Sequence, residues 1–270
     1  MKTLVLANQK GGVGKSAVAT LLTHFLAQLG KRVLAIDFDH QGNFSFPLTL
    51  SKRPQVADFS SDRLLRTSGM QLPDAPFVLV PAGDELLWLE REATQHTPFA
   101  RAFRAFMKAM DDRFDVCVID THPSPDIRLI SALASTDFVL APIQLNQESI
   151  DGVRNLLGHP RIGFLKIKAL LNPRLDFIGL LPMMVEPTPF QRANLRDLVE
   201  RHLPLMVRIG EPPGALASIP KRSAIAEAQA AGAVLWEMKK TAARDAWIEI
   251  RPTIAHLAGV VAGAEAVRAL

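Results

Sequence analysis

A doubly wound α/β fold, with a mostly parallel sheet flanked by helices, is predicted by three features of the 270-residue sequence. A short apolar run, Thr3 to Ala7, leads into the glycine-rich stretch Lys10-Gly11-Gly12-Val13-Gly14-Lys15-Ser16 and from there into a helical pattern. Two further apolar runs, Val33 to Ile36 and Val116 to Ile119, each end in a carboxylate, Asp37 and Asp120. Near-continuous apolar strands of this kind are buried on both faces, as parallel strands under helices are, and the chemistry of such sheets sits at the carboxyl ends of the strands.

Taken in order, residues 3–7 read as the first strand and the glycine stretch as its outgoing loop. A loop that wraps a phosphate turns its backbone N–H groups inward and needs dihedrals and close approaches that a Cβ obstructs. The helix behind it adds partial positive charge. In such a loop Lys15 meets the β and γ phosphates of a nucleotide and the Ser16 hydroxyl ligates magnesium. The ordinary alternative is a glycine turn with two solvated lysines. Val18, Leu21, Leu22, Phe25, Leu26 and Leu29 then recur on one helix face, which Gly30 stops. Residues 33–37 are the second strand, so a βαβ unit opens the chain. Asp37 and Asp39 close that strand and begin the loop Asp37 to Asn43.

Residues 51–83 are punctuated by Pro54, Pro73, Pro76 and Pro81, with Phe77 to Val80 a strand, and Asp84 is placed to cap a short helix. Phe99, Phe103, Phe106, Met107 and Met110 fall at helical spacing and read as core. Asp115 to Asp120 is a strand with a terminal carboxylate, followed by Thr121-His122-Pro123. Phe138 to Pro142 and Phe177 to Met183 are further strands, with a loop and helix over Gln144 to Leu157 between them. Residues 188–202 read as a helix with Arg192 and Arg196 on one face. Thr241 to Ile250 and Thr253 to Arg268 read as two terminal helices separated by Pro252.

The glycine loop departs from the general phosphate-loop pattern at Gln9 and carries instead a second lysine, Lys10, before the paired glycines. This arrangement resembles the deviant Walker A motif of the ParA/MinD family of ATPases, a class of P-loop NTPases. The resemblance covers nearly the whole chain and is strongest over residues 3–50 and 115–160. It implies that Lys10, Gly11, Gly12, Val13, Gly14, Lys15, Ser16 and Ala17 bind ATP, with Lys10 reaching the nucleotide of a partner subunit. Asp39 matches the acid that positions or activates the attacking water. Asp37 lies near the metal, and Asp120 matches the Walker B acid that holds Mg2+ through a water. Ile219-Pro220-Lys221-Arg222 resembles the family's segment near the adenine, which adds Pro220 and Arg222 to the nucleotide site. Two positions that are usually proline in the family are His40 and His122 here. A proton relay or pH switch is one reading of them, and tolerated loop substitution, the favoured one, is the other.

The resemblance further implies an ATP-dependent homodimer that binds nonspecific DNA and is stimulated by a ParB-like partner. It would act in segregating a plasmid, mobile element or chromosome, in the cytoplasm on the nucleoid and without membrane contact. Net charge is +4 and unevenly spread: residues 1–150 carry 15 basic and 16 acidic side chains, residues 151–270 carry 16 and 11. The C-terminal part is therefore the better partner for a polyanion. Ala224 stands where family members often have a DNA-contacting arginine, and the DNA-binding candidates are Arg192, Arg196, Lys221, Arg222, Lys239, Lys240 and Arg244. An ordinary solvated surface is the competing account of these charges, since no basic run exceeds two residues.

Length and composition, 48% hydrophobic and 21% charged, suit one large α/β domain over 1–270. A lone cysteine, Cys117, cannot form an internal disulfide or supply the several thiolates of an iron–sulfur cluster, which argues against a nitrogenase-reductase-like enzyme and fits a reducing compartment. The absence of tyrosine argues against a self-phosphorylating tyrosine kinase. No apolar run approaches a signal peptide or a membrane span. The last helix lacks the basic polar face of a membrane-targeting helix, which disfavours a MinD-like regulator. An ATPase that positions a cargo other than DNA remains the alternative.

Overall fold

The computed structural model describes residues 1–160, 163–211 and 213–267. Its centre is an eight-stranded sheet in the spatial order β10 (Ile219–Pro220), β7 (Asp176–Val185), β6 (Phe138–Gln144), β1 (Lys2–Leu6), β5 (Val116–Thr121), β2 (Val33–Phe38), β4 (Phe77–Val80) and β3 (Gln55–Val56). Every neighbouring pair in it is parallel. An antiparallel ribbon of β8 (Arg208–Ile209) and β9 (Ala215–Leu216) lies apart from it.

Alternation along the strands divides the core. Leu4 and Leu6 of β1 join Ala35, Val118 and Leu140 under α1 (Lys15–Gln28), α9 (Ser223–Ala231) and α10 (Thr241–Ala262). Val5 joins Leu34, Ile36, Cys117 and Ile119 on the opposite face, under α3 (Asp62–Arg66), α4 (His96–Ala109), α5 (Ile127–Leu133) and α7 (Phe164–Leu170). A third cluster packs α6 (Gln147–Gly158) and α8 (Pro189–His202) against β6 and β7. Phe99, Phe103, Phe106 and Met107 of α4 and Met110 just past its end, which recur at helical spacing, are all buried, and so is Cys117. Short side-chain acceptors start three helices: Asp126 takes the N–H of Arg128 at 3.0 Å, Asn146 that of Ser149 at 2.9 Å, and Thr188 that of Gln191 at 3.2 Å.

Two sequence expectations are corrected. Pro252 does not separate two helices, because α10 runs without interruption from Thr241 to Ala262. An internal proline costs roughly 3 kcal/mol. Burial of Ile250, Ile254 and Leu257 against the α1 face of the sheet outweighs it, at about 1.5–3 kcal/mol for each such side chain. The carbonyl that loses its donor belongs to exposed Ile248, where water can replace the missing N–H. The predicted end of this segment at Arg268 lies outside the described residues. Asp84 is the first residue of a single tight turn, Asp84–Leu87, and its side chain caps nothing there.

Candidate active site

Strand order and register assemble the site before any side chain is considered. β1 lies beside β5, and β5 beside β2, with Leu6 opposite Asp120 and Asp120 opposite Asp37. The glycine loop leaving β1 therefore opens onto both carboxylates at the carboxyl edge of the sheet. Gly12 and Gly14 take φ of +72° and +90°, which lets the loop fold back over the start of α1. No side chain caps α1, so its first N–H groups are open to an anion.

Lys15 enters this ring of acids largely buried. Loss of water pushes its pKa down, and the nearby Asp120 and Asp39 push it back up. The Ser16 hydroxyl donates to Asp120 Oδ2 at 2.5 Å, while Asp120 Oδ1 is buried with no hydrogen-bond partner. Burial, reinforced by the Asp37 charge, pushes the Asp120 carboxyl well above the usual carboxylate range. Burial also raises Asp37, although its oxygens accept the N–H of Asp39 at 3.0 Å and both the N–H and hydroxyl of Ser45 at 2.8 and 2.7 Å. Asp37 thus holds the turn that carries Asp39 and has little acceptor capacity to spare. The open Asp120 oxygen and the Ser16 hydroxyl are hard donors beside excess negative charge, a set that fits Mg2+.

The loop and the strand ends enclose a cleft of about 880 Å³. Gly11 to Ala17, Asp39, Pro220 and Arg222 all line it, so the sequence-predicted nucleotide residues come together with the exception of Lys10. Lys10 Nζ instead donates to Asn146 Oδ1 at 3.0 Å and to Glu148 Oε2 at 2.7 Å in its own chain. Sequence reasoning missed the apolar part of the lining, formed by Phe46, Pro47, Met183 and Met184. Phe46 is 59% exposed, and Met184 takes φ of +52°, an uncommon conformation for a residue with a Cβ. An aromatic ring and soft thioethers around a phosphate loop form a surface suited to a flat base. The only sequence signal for them was position: Met183 ends the predicted strand 177–183.

His122 also lines the cleft, and its ring lies 4.9 Å from that of His40 between centroids. His40 Nδ1 is 3.6 Å from Asp39 Oδ1, and the Ser124 N–H donates to His122 Nδ1 at 3.1 Å. Burial depresses the His122 pKa and favours its neutral form. Behind it the buried Arg128 pairs with Asp126, a charge pair that sequence reading did not single out.

All seven DNA-binding candidates are exposed, but they are not gathered on one element. Arg192 and Arg196 share α8 near the β6–β7 end, whereas Lys240 and Arg244 begin α10 across the other face. Lys221 pairs with Glu186, Arg222 with Glu249 and Lys240 with Glu227.

The strand order and the glycine loop define the doubly wound P-loop NTPase fold, which solved structures share. A family profile described as "AAA domain" matches residues 1–177, and the chain belongs to that family, among the ParA/Soj partitioning ATPases. It is 33% identical to Protein IncC of Escherichia coli over 93% of this chain and 67% of that one. It is 32% identical to the chromosome-partitioning ATPase Soj of Thermus thermophilus, over 79% of this chain and 85% of that one. Among solved structures, cobyrinic acid a,c-diamide synthase from Mycobacterium smegmatis with bound ATP analogue and magnesium superposes with a TM-score of 0.68. The two are 25% identical, and the match covers 97% of this chain and 96% of that one.

Proposed function

We propose that residues 1–270 act as one Mg2+-dependent ATPase domain that dimerises when loaded with ATP and binds duplex DNA without sequence preference. In this reading a ParB-like partner stimulates hydrolysis, and the cycle segregates a replicon on the nucleoid. The observation that carries the catalytic part is the convergence of Lys15, Ser16, Asp39 and Asp120 on one cleft and its carboxyl-edge floor. The chromosome-partitioning role of Soj and the ATP analogue and magnesium bound to the synthase support partition and nucleotide binding.

In the proposed mechanism the N–H groups of Gly11 to Gly14 and the start of α1 cradle the phosphates, and Lys15 supplies a fixed counter-charge to the β and γ groups. Ser16 and Asp120 would hold the divalent ion, which would screen phosphate charge. Asp39, oriented by the Asp37-anchored turn, positions the attacking water; positioning and charge matter more than base strength in such a transfer. Lys10 exchanges Glu148 for the nucleotide of the second subunit. Of the seven candidates, DNA binding draws on those with no ion pair among the described residues: Arg192, Arg196, Lys239 and Arg244.

The test compares three variants. Lys15→Ala loses ATP binding, whereas Asp39→Ala keeps it and loses turnover; an equal loss of affinity in both refutes the role split. For DNA, each phosphate contact removed lowers the magnitude of the slope of log affinity against log salt by roughly 0.9. ATP-loaded protein that ignores random duplex at low salt, or whose slope survives joint replacement of the basic residues by Ala, refutes the DNA reading and favours another cargo.

A further inference from the structure

Asp39, His40 and His122 each offer one donor atom, and the three atoms lie within 4.8 Å of one another. Two loops bring them together: β2 and β5 run in register through Asp37–Asp120 and Phe38–Thr121, so the residues just past each strand end meet. His40 Nδ1 is buried with no hydrogen-bond partner and lies 3.6 Å from Asp39 Oδ1. That spacing is close to the roughly 3.3 Å between ligands of a tetrahedral ion with bonds of about 2.0–2.1 Å. We propose that these three side chains form a second cation site, distinct from the Ser16–Asp120 pair, for a borderline divalent ion of the Zn2+, Ni2+ or Co2+ class.

The donor set selects the ion. Two imidazoles and one carboxylate favour borderline ions, whereas Ser16 and Asp120 offer hard oxygen alone. Outer contacts are in place. The Gln41 side-chain amide lies 2.7 Å from His40 Nε2. With its oxygen turned to an Nε2–H, that amide leaves the Nδ1 lone pair free for the ion, the usual second contact of a ligating histidine. Ligation of His122 through Nδ1 replaces the Ser124 N–H with the metal bond, whereas ligation through Nε2 puts the proton on Nδ1 and gives up that contact. The buried guanidinium of Arg128 nearby is already paired with Asp126, so its charge is largely offset. Three protein ligands leave one position of a tetrahedron for water or a phosphate oxygen.

A consequence that rests on the proposed function follows from Asp39 serving both sites. An ion that ligates this carboxylate withdraws it from positioning water, so the ion inhibits turnover while nucleotide still binds.

The experiment titrates the full chain, free of nucleotide, with Co2+ followed by its visible absorption, and with Zn2+ by calorimetry. One tetrahedral-type ion per chain is expected. His40→Ala and His122→Ala each weaken binding by at least about tenfold, since even loss of an outer contact costs that much. Ser16→Ala leaves the Co2+ spectrum unchanged. Absence of a tetrahedral Co2+ band, or equal Zn2+ affinity in the two histidine variants and the parent, overturns the site and assigns any binding to other histidines among the seven. A separate arm measures ATP turnover in Mg2+ with and without added Zn2+, each variant against its own Zn2+-free rate. Inhibition in the parent and its loss in His122→Ala is expected. Binding without inhibition leaves the metal site standing and refutes the water-positioning role of Asp39.

Discussion

Replacing Gly14 by alanine tests whether the phosphate loop depends on backbone freedom or on space. Gly14 sits at φ +90°, and a Cβ there meets Met183 Cε at 2.8 Å and Cγ at 3.6 Å. Gly12 sits at φ +72° with nothing within 4 Å of the same atom. Both alanines suffer the left-handed strain of an L-residue, about 1–2 kcal/mol. Only Gly14→Ala adds overpacking, typically about 1–3 kcal/mol and at the low end here because the contact is the tip of a flexible methionine. The expected losses of folding stability are therefore about 1–2 kcal/mol for Gly12→Ala and about 2–4 kcal/mol for Gly14→Ala. Urea unfolding at equal m-value reads both, and nucleotide titration shows how much strain is relieved by opening the loop, at tenfold in affinity per 1.4 kcal/mol. Adding Met183→Ala to Gly14→Ala recovers the packing part and leaves the strain. Equal losses for the two glycines, or no coupling between Gly14 and Met183, would refute the steric argument.

Further outcomes are expected at three other places. Burial, helped by the Arg53 charge, depresses His24 to about 4 from its ordinary 6.5. The unfolded chain therefore takes up the proton first as pH falls; stability is intact above 6.5, declines between 6.5 and 4, and levels off below, a loss of about 3 kcal/mol. His24→Leu should flatten that part of the curve in urea midpoints taken across the range, and an unchanged curve counts against the assignment. Glu148→Ala frees one of the two contacts of Lys10, so light scattering with ATP should show dimer at lower protein concentration than in the parent, while Lys10→Ala should show none; a Glu148→Ala chain that dimerises less readily contradicts the latch. Pro252→Ala restores a donor to the Ile248 carbonyl and should raise the unfolding free energy read in urea by about 1 kcal/mol, below the roughly 3 kcal/mol of an exposed helix interior; a lower unfolding free energy contradicts this account of α10.

What the sequence determined alone is whatever local chemistry can dictate. Apolar runs capped by Asp37 and Asp120 located β2 and β5, and the glycines of 11–14 located a loop whose φ values only glycine takes easily. Helical periodicity from Phe99 to Met107 named the buried face of α4 correctly. Helices α2 (Ser45–Ser51), α3, α5 and α7 escaped because five to seven residues are too few turns to show a period. Tertiary structure decided the rest, since contacts between distant residues depend on strand order and not on propensity. Seating β5 between β1 and β2 set Asp120 opposite Asp37 and brought His122 to His40. Burial of α1 on nearly every side enclosed His24, which one-face periodicity leaves unremarked. Docking of α6 beside the glycine loop gave Lys10 a partner 138 positions away, and packing of α10 on the sheet carried a helix through Pro252 that local rules end there. In each case the free energy comes from burial or pairing across the fold, which no window of neighbouring residues contains.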